Sequence, residues 1–503
     1  MLLGIDIGTT NSKVGLFDVN GTCLALASRE TETLYDQEQG YYYYLPETMW
    51  RSVAEGIREV MKDRPVSQLA GIGITSMAES GLLLDRRTGE EKSYILPWFD
   101  TCSQPQADRI SQAGDAAERF RKTGLTNSFK LGLAKILWLR DRDPNIIDEN
   151  TVWLSASGYI AYRLSGELAF DYSLAARTYA FRIDQKKWDA DWLKEFGLTE
   201  RLFPDALPAG TVIGKVRRDV AEETGLTEGI PVVIGGHDHV CAALAVGAIH
   251  PGTVYDSMGT AETLVGTLEE KELGEREFRS GLSFGCHIAP GRYFWMGGNP
   301  ASGGSVEWLR PMLSDDTLSY EQVLEWLTRC KDEPTGILYF PYLSGSGAPV
   351  RDSRAKAAFI GLVKDHHKGD LIKAVLEGTS YQLEAIREEA EQIAGYRIER
   401  LFVIGGGTRN RTWLQIKADV LNCELDVPSI AEATLMGAAM AAGWGAGVYA
   451  SVEDAVAKVR NNIHTETIRP RPEQAALYRR LYEHGFAALQ APLRQYFHLH
   501  KDG

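Results

Sequence analysis

A chain of 503 residues, 44% apolar and 24% charged, has the composition of a folded protein and length for two or three domains, which excludes a disordered or fibrous polypeptide. Lys plus Arg number 54 against 68 Asp plus Glu, and the net charge of −14 excludes a broad nucleic-acid-binding face while leaving room for a local cationic pocket. The six cysteines are scattered with no Cys-x-x-Cys pair, so neither a disulfide framework nor a zinc knuckle is expected, and a reducing cytoplasm is the expected compartment.

The opening reads as strand, turn, strand: an apolar stretch over residues 2–7, a polar tip from Gly8 to Ser12, and a second strand over 13–18 that turns at Asn20-Gly21 into a third over 22–27. Asp6 stands where a signal peptide would continue its apolar stretch, and no uninterrupted apolar run reaches membrane-spanning length. A helix is expected from Pro46, with Trp50, Val53, Ile57 and Val60 on one face, followed by a strand over 70–75. The tyrosines 41–44 are expected to pack at the entry of that helix.

Further on, an apolar strand from Pro231 ends in Gly235-Gly236-His237-Asp238-His239, and a helix is expected over 240–248. The chain then restarts, because residues 252–264 again spell strand, Gly-Thr turn and strand, with Gly259-Thr260 as the tip. The second half closes as the first does, with a strand over 401–404, a Gly405-Gly406-Gly407-Thr408-Arg409-Asn410 loop and a helix over 411–421. Two halves of like order imply a duplicated α/β domain pair with a cleft between, divided near 246–252. The apolar run 433–449, punctuated by Gly437, Gly443, Gly445 and Gly447, reads as a tightly packed buried helix and its exit.

The chemistry-bearing residues collect at these tips and loops. In Asp6-Ile7-Gly8-Thr9-Thr10-Asn11-Ser12-Lys13 a glycine admits an anion close to the backbone, N–H groups and hydroxyls donate to phosphate oxygens, and Lys13 neutralises charge. Asp6 is the candidate ligand for Mg²⁺. The plain alternative is a polar hairpin whose hydroxyls satisfy their own backbone. Gly259 and Thr260 suggest a second grip on a polyphosphate, and Gly405, Gly406, Gly407 and Asn410, together with Gly303 and Gly304, are the candidate nucleotide contacts. Neither the Walker pattern nor an opening G-x-G-x-x-G is present. Asp238 is the candidate general base, against the alternative that it caps the following helix. Glu79, Trp98 and Asp100, and further on Asp171 with Arg177, are candidates for holding a small polyhydroxylated ligand.

Taken together, these motifs resemble the FGGY family of carbohydrate kinases along nearly the whole chain. The resemblance rests on the two tips, the Gly236-His237-Asp238 loop, Ala357-Ala358-Phe359-Ile360-Gly361-Leu362 with Asp370-Leu371 and Ala374-Val375-Leu376-Glu377, and the triple-glycine loop. It implies an α/β fold of two actin-like, RNase H-like domains. The N-terminal one, 1–248, would carry the sugar site and phosphate tip, and the C-terminal one, 249–503, the nucleotide. It also implies ATP with Mg²⁺, a small ketose or sugar alcohol as acceptor, and Asp238 as base. Lys135 and Trp138-Leu139 fit the amino-domain signature, whereas Gly132 departs from it. Ala78 stands where the glycerol kinases of the family carry an arginine before the acid, and the Met-His pair of the xylulose kinases is absent as well. A homodimer without nucleic-acid or membrane partners is expected. A catalytically silent nucleotide switch or sugar sensor of the same fold, and a metal hydrolase built on His237-Asp238-His239, are the competing readings.

Overall fold

The near-continuous apolar strands of the first half assemble into the sheet that carries the site. The computed structural model describes residues 1–314 and 317–499. In the first lobe β1 (Leu2–Ile7), β2 (Asn11–Phe17) and β3 (Cys23–Glu30) form the expected antiparallel meander. After α1 (Pro46–Met61) comes β4 (Gly71–Ser76), and after α2 (Gly132–Arg142) come β5 (Val212–Lys215), β6 (Pro231–His237) and α3 (Asp238–Val246). The sheet runs β5-β6-β4-β1-β2-β3, with β6, β4 and β1 parallel. Those three are almost wholly buried, as parallel strands covered on both faces must be, which explains their unbroken apolar reading.

The tyrosine run pairs as a short strand, Tyr41–Tyr43 against Leu34–Asp36, and hands the chain to α1 through Tyr44, which is 1% exposed. Tyr41 meets Trp138 edge-on at 4.9 Å, so these rings supply packing area.

The second lobe repeats the design. β7 (Val254–Met258), β8 (Glu262–Glu269), β9 (Ser283–Cys286) and β10 (Arg292–Asn299) precede α4 (Gly303–Leu309) and the long α5 (Lys368–Ala394). They are followed by β11 (Arg400–Ile404), α6 (Arg411–Leu421), β12 (Glu424–Pro428), α7 (Ala433–Gly445) and β13 (Thr465–Ile468). The sheet order is β9-β10-β8-β7-β11-β12-β13, with β7, β11 and β12 parallel. Under its first hairpin lies a fully buried ion triad: Lys417 of α6 reaches Asp256 of β7 and Glu262 of β8, and all three side chains are 0% exposed. Ser302 Oγ donates to the other Glu262 oxygen at 2.7 Å.

The lobes are joined by backbone contact. α7, apolar all round, leaves the second sheet and lies on β1 and β4 of the first, alongside α3. A Cβ on Gly73 would come within 1.9 Å of Ala438 O, one on Gly4 within 2.3 Å of Leu435 O, and one on Gly437 within 1.8 Å of Cys241 O. No side chain fits at these positions.

Gly73→Val forces that seam apart, and a loss of about 3 kcal/mol is expected from denaturant unfolding, as for overpacking against an unyielding neighbour. Lys417→Met leaves two buried carboxylates without their cation. Its expected cost is about 3–5 kcal/mol, measured in the same way.

Candidate active site

Parallel strands of an open sheet release the chain into loops at their carboxyl ends, where a ligand meets unpaired backbone and freely chosen side chains. Here Asp6 is level with Thr75, Ile7 with Ser76, and Ser76 with His237, so three loops leave the first sheet at one height. In the second lobe Ser257 is level with Ile404, which brings Met258 and the triple-glycine loop together.

The loop after β6 is shaped by its glycines. Gly236 has φ +112°, and a Cβ there would lie 3.0 Å from Ser173 Oγ, the hydroxyl that accepts the His237 N–H at 2.9 Å. α3 begins at Asp238, two residues earlier than the sequence suggests, and His237 holds the capping position without a side-chain bond. Asp238 is therefore not a cap. Its Oδ1 accepts the His239 N–H at 2.6 Å and lies 3.0 Å from His237 Nε2, whereas Oδ2 has no hydrogen-bond partner among the described residues. The Asp238 side chain is 31% exposed. Desolvation raises its carboxyl above the ordinary range, with the Glu79 charge adding and His239 and Arg177 opposing. Burial holds His237 well below its usual value, and therefore neutral.

Asp6 stands nearby with Oδ1 buried and unpartnered. Desolvation and the Asp238 charge push its carboxyl up to about 8, against the pull of Lys13. Among the described residues no three His, Cys, Asp or Glu side chains cluster to hold a metal. A lone, unsatisfied hard oxygen fits an ion such as Mg²⁺, which keeps several waters and takes phosphate oxygens as ligands.

At the first tip Gly8 N–H donates to Asn11 O at 3.1 Å, closing a tight turn with Thr10 exposed. Lys13 is engaged: Nζ lies 2.7 Å from Oε2 of Glu432, the residue at the amino end of α7. The sequence reading missed Glu432. Ser12 differs from expectation, because strand alternation turns it away from the Lys13 face; it is 5% exposed and bonded to Thr31 Oγ1 at 3.0 Å. Thr9 Oγ1 accepts the Trp98 indole N–H at 2.8 Å, so the half-buried Trp98 ties the tip to the neighbouring loop. Asp100 also differs: it is 4% exposed, and its oxygens accept the N–H groups of Tyr42 and Cys102 at 2.5 and 2.6 Å, which anchors the tyrosine strand instead of facing a ligand. Asp171 commits Oδ1, which accepts Ser173 and Leu174 N–H at 2.8 and 3.1 Å and so caps the helix Tyr172–Ala176 that braces the Asp238 loop.

Glu79, with φ +58°, points its carboxylate at Arg177, 2.6 Å from Nη2. The arginine absent at position 78 is thus supplied from another element. The buried Lys135 of α2 supports this corner, its Nζ donating to Glu79 O at 2.7 Å and Lys130 O at 2.9 Å. Burial lowers that ammonium to about 7.

At the second tip Gly303 and Gly304 donate their N–H groups to Gly259 O and Thr260 O at 3.1 and 3.0 Å, so α4 begins against the tip. Gly405 has φ +99° and packs on Met258 O, while a Cβ on Gly406 would meet nothing within 4 Å. The Asn410 side chain accepts the Trp413 N–H at 3.0 Å and caps α6.

The model of the FGGY family of carbohydrate kinases, N-terminal domain, matches residues 1–245, and that of the C-terminal domain matches residues 254–446. The chain is 30% identical over 456 residues to a xylulose kinase of Bacillus subtilis, covering 90% of each, and 26% identical over 490 residues to a gluconokinase of the same species, covering 95% of this chain and 94% of the relative. Its structure is similar to the crystal structure of a xylulose kinase from Rhodospirillum rubrum, with TM-score 0.87, 27% identity and 99% of both chains covered. Both lobes, each with its own tip and glycine loop, are therefore accounted for in order, and the chain belongs to the FGGY family of carbohydrate kinases.

Proposed function

We propose that the protein transfers the γ-phosphate of ATP to a hydroxyl of a small polyhydroxylated sugar derivative, with Asp238 as the general base. The observation that carries this reading is the state of that carboxylate: Oδ1 accepts the His239 N–H, while Oδ2 has no hydrogen-bond partner among the described residues and the side chain is 31% exposed. A hydroxyl delivered to Oδ2 gives up its proton as its oxygen becomes nucleophilic, and the rest of phosphoryl transfer is alignment and charge stabilisation.

The tip Gly8 to Lys13 and the tip Gly259-Thr260 would receive the β- and γ-phosphates from the two lobes, with Thr9, Thr10, Asn11 and backbone N–H groups as donors. Lys13 would exchange Glu432 for a phosphate oxygen. Gly405, Gly406 and Gly407, open to solvent beside Met258, leave space for the nucleoside. Asp6 is the residue to hold Mg²⁺, which when bound supplies neutralisation of phosphate charge. Glu79, fixed by Arg177, is placed to accept hydrogen bonds from the acceptor's hydroxyls, and Trp98 forms an apolar wall.

Asp238→Asn keeps the shape and removes the proton acceptor. ATP binding is expected to persist while kcat falls about 10³-fold, in line with the worth of general-base catalysis, and a variant retaining most of its turnover overturns the assignment. The base must be deprotonated to act, and its folded-state value is raised, so activity is lost on acidification at a pH above the ordinary aspartate value of about 4. The pH profile of kcat/KM for the acceptor reads this limb. An acid limb at or below that value argues against Asp238.

A further inference from the structure

Three cations, Arg177, Lys130 and Arg351, gather beside Glu79 and the Asp238 loop, and among the described residues the one ion pair that any of them makes is that of Arg177 with Glu79. Arg177, which ends the helix Tyr172–Ala176, is 9% exposed; Nη2 is paired with Glu79, and the buried Nε and Nη1 have no hydrogen-bond partner. Lys130 Nζ lies 4.9 Å from the centre of the Trp98 ring and meets no hydrogen-bond acceptor among the described residues. Arg351, an exposed residue of the second lobe, donates from Nε to Gly281 O at 3.1 Å and from Nη2 to Ser283 Oγ at 2.8 Å, and makes no ion pair with an acid among the described residues.

The backbone holds these groups together. Gly132 N–H donates to Arg177 O at 3.2 Å and Leu133 N–H to Thr178 O at 2.8 Å, which stitches the segment carrying Lys130 to the one carrying Arg177. The helix ahead of Arg177 packs on β9, whose Ser283 positions Arg351. Their charges act on one another: burial lowers the Lys130 ammonium, Arg177 and Arg351 lower it further, and Glu79 opposes them.

A buried guanidinium with two orphaned N–H donors is costly, and native proteins retain such an arrangement where something arrives to satisfy it. A neutral hydroxyl can accept one of those donors but leaves the charge unbalanced. A carboxylate meets both requirements, because its two oxygens match the planar fork of an arginine and its charge offsets an ammonium.

We propose that the acceptor carries a carboxylate in addition to its hydroxyls, a sugar acid of the aldonate type, and that Lys130, Arg177 and Arg351 read that group. The proposal rests on the kinase reading above. It replaces the ketose or sugar alcohol expected from the sequence with a sugar acid.

The test is ADP release by the full chain with ATP and Mg²⁺ on matched sets of four to six carbons: aldonates, their alditols and the corresponding ketoses across the stereochemical series. An aldonate is expected to exceed its alditol at least ~100-fold in kcat/KM, as for a site whose buried polar groups go unpaired with the wrong ligand. Lys130→Met keeps the stem over Trp98 and removes the charge; it is expected to shrink the acid-over-alditol ratio about 10-fold or more, through KM for the acid and not KM for ATP, with Lys130→Arg restoring it. A neutral sugar outperforming every acid overturns this inference and leaves the kinase standing. A Lys130→Met effect confined to KM for ATP also overturns it, by assigning the charge to the nucleotide. If none of the compounds stimulates ADP release, the kinase reading falls and this inference with it.

Discussion

The backbone seam between α7 and the first lobe is the constraint on which the cleft depends. α7 follows β12 of the second sheet, yet its carbonyls lie against Gly4 and Gly73 of the first and its Gly437 against Cys241 O of α3. A helix held at such range cannot slide without breaking van der Waals contact along β1 and β4 together. The seam fixes α3, which begins with Asp238, and sets Glu432, at the amino end of α7, beside Lys13. One apolar contact without a side chain between the backbones thus positions polar groups from both halves of the chain.

Those polar groups are held by bonds that spend one atom and leave another. Asp238 commits Oδ1 and leaves Oδ2, and Arg177 commits Nη2 and leaves Nε and Nη1, while the buried Asp6 Oδ1 has no partner among the described residues. Where both atoms are committed, as in Asp100, or where the hydroxyl is buried against a neighbour, as in Ser12, the residue is structural. The distinction between a supporting and a working polar group is a count of unspent donors and acceptors, and it follows from the geometry of the loops.

That count explains what the sequence could and could not disclose. Strand, tip and glycine-loop patterns are local, so the first meander, the opening hairpin of the second lobe, the strand before His237 and the helix after Asn410 were legible, as was the duplication, whereas β9 and β10 were not read. The site's electrostatics are not local. Lys13 meets Glu432 across 419 residues and Lys417 meets Asp256 across 161, and no spacing rule announces such pairs. Glu79 and Arg177 were each singled out in the sequence, but their pairing, which supplies from a distant helix the arginine missing beside Glu79, needed the fold. Ser12 was misjudged because a tip rich in hydroxyls reads uniformly, whereas the strand that begins at Asn11 already alternates faces.

The ion pair of Lys13 with Glu432 gives the tip lysine a counter-charge from the other half of the chain. Without Glu432 the ammonium would lack a direct ion-pair partner, and an isolated Glu432 would add to the anionic field of Asp6 and Asp238. Paired at 2.7 Å and each about a quarter exposed, they satisfy one another at little desolvation cost, since neither has left water completely. A phosphate, with more charge and more acceptor oxygens than one carboxylate, would compete well for Lys13. The released Glu432 stays at the amino end of α7, where the helix dipole favours a negative charge. The proposed exchange would therefore strand no bare ion in the interior, and the helix that joins the two lobes also supplies the acid that pairs with the tip lysine.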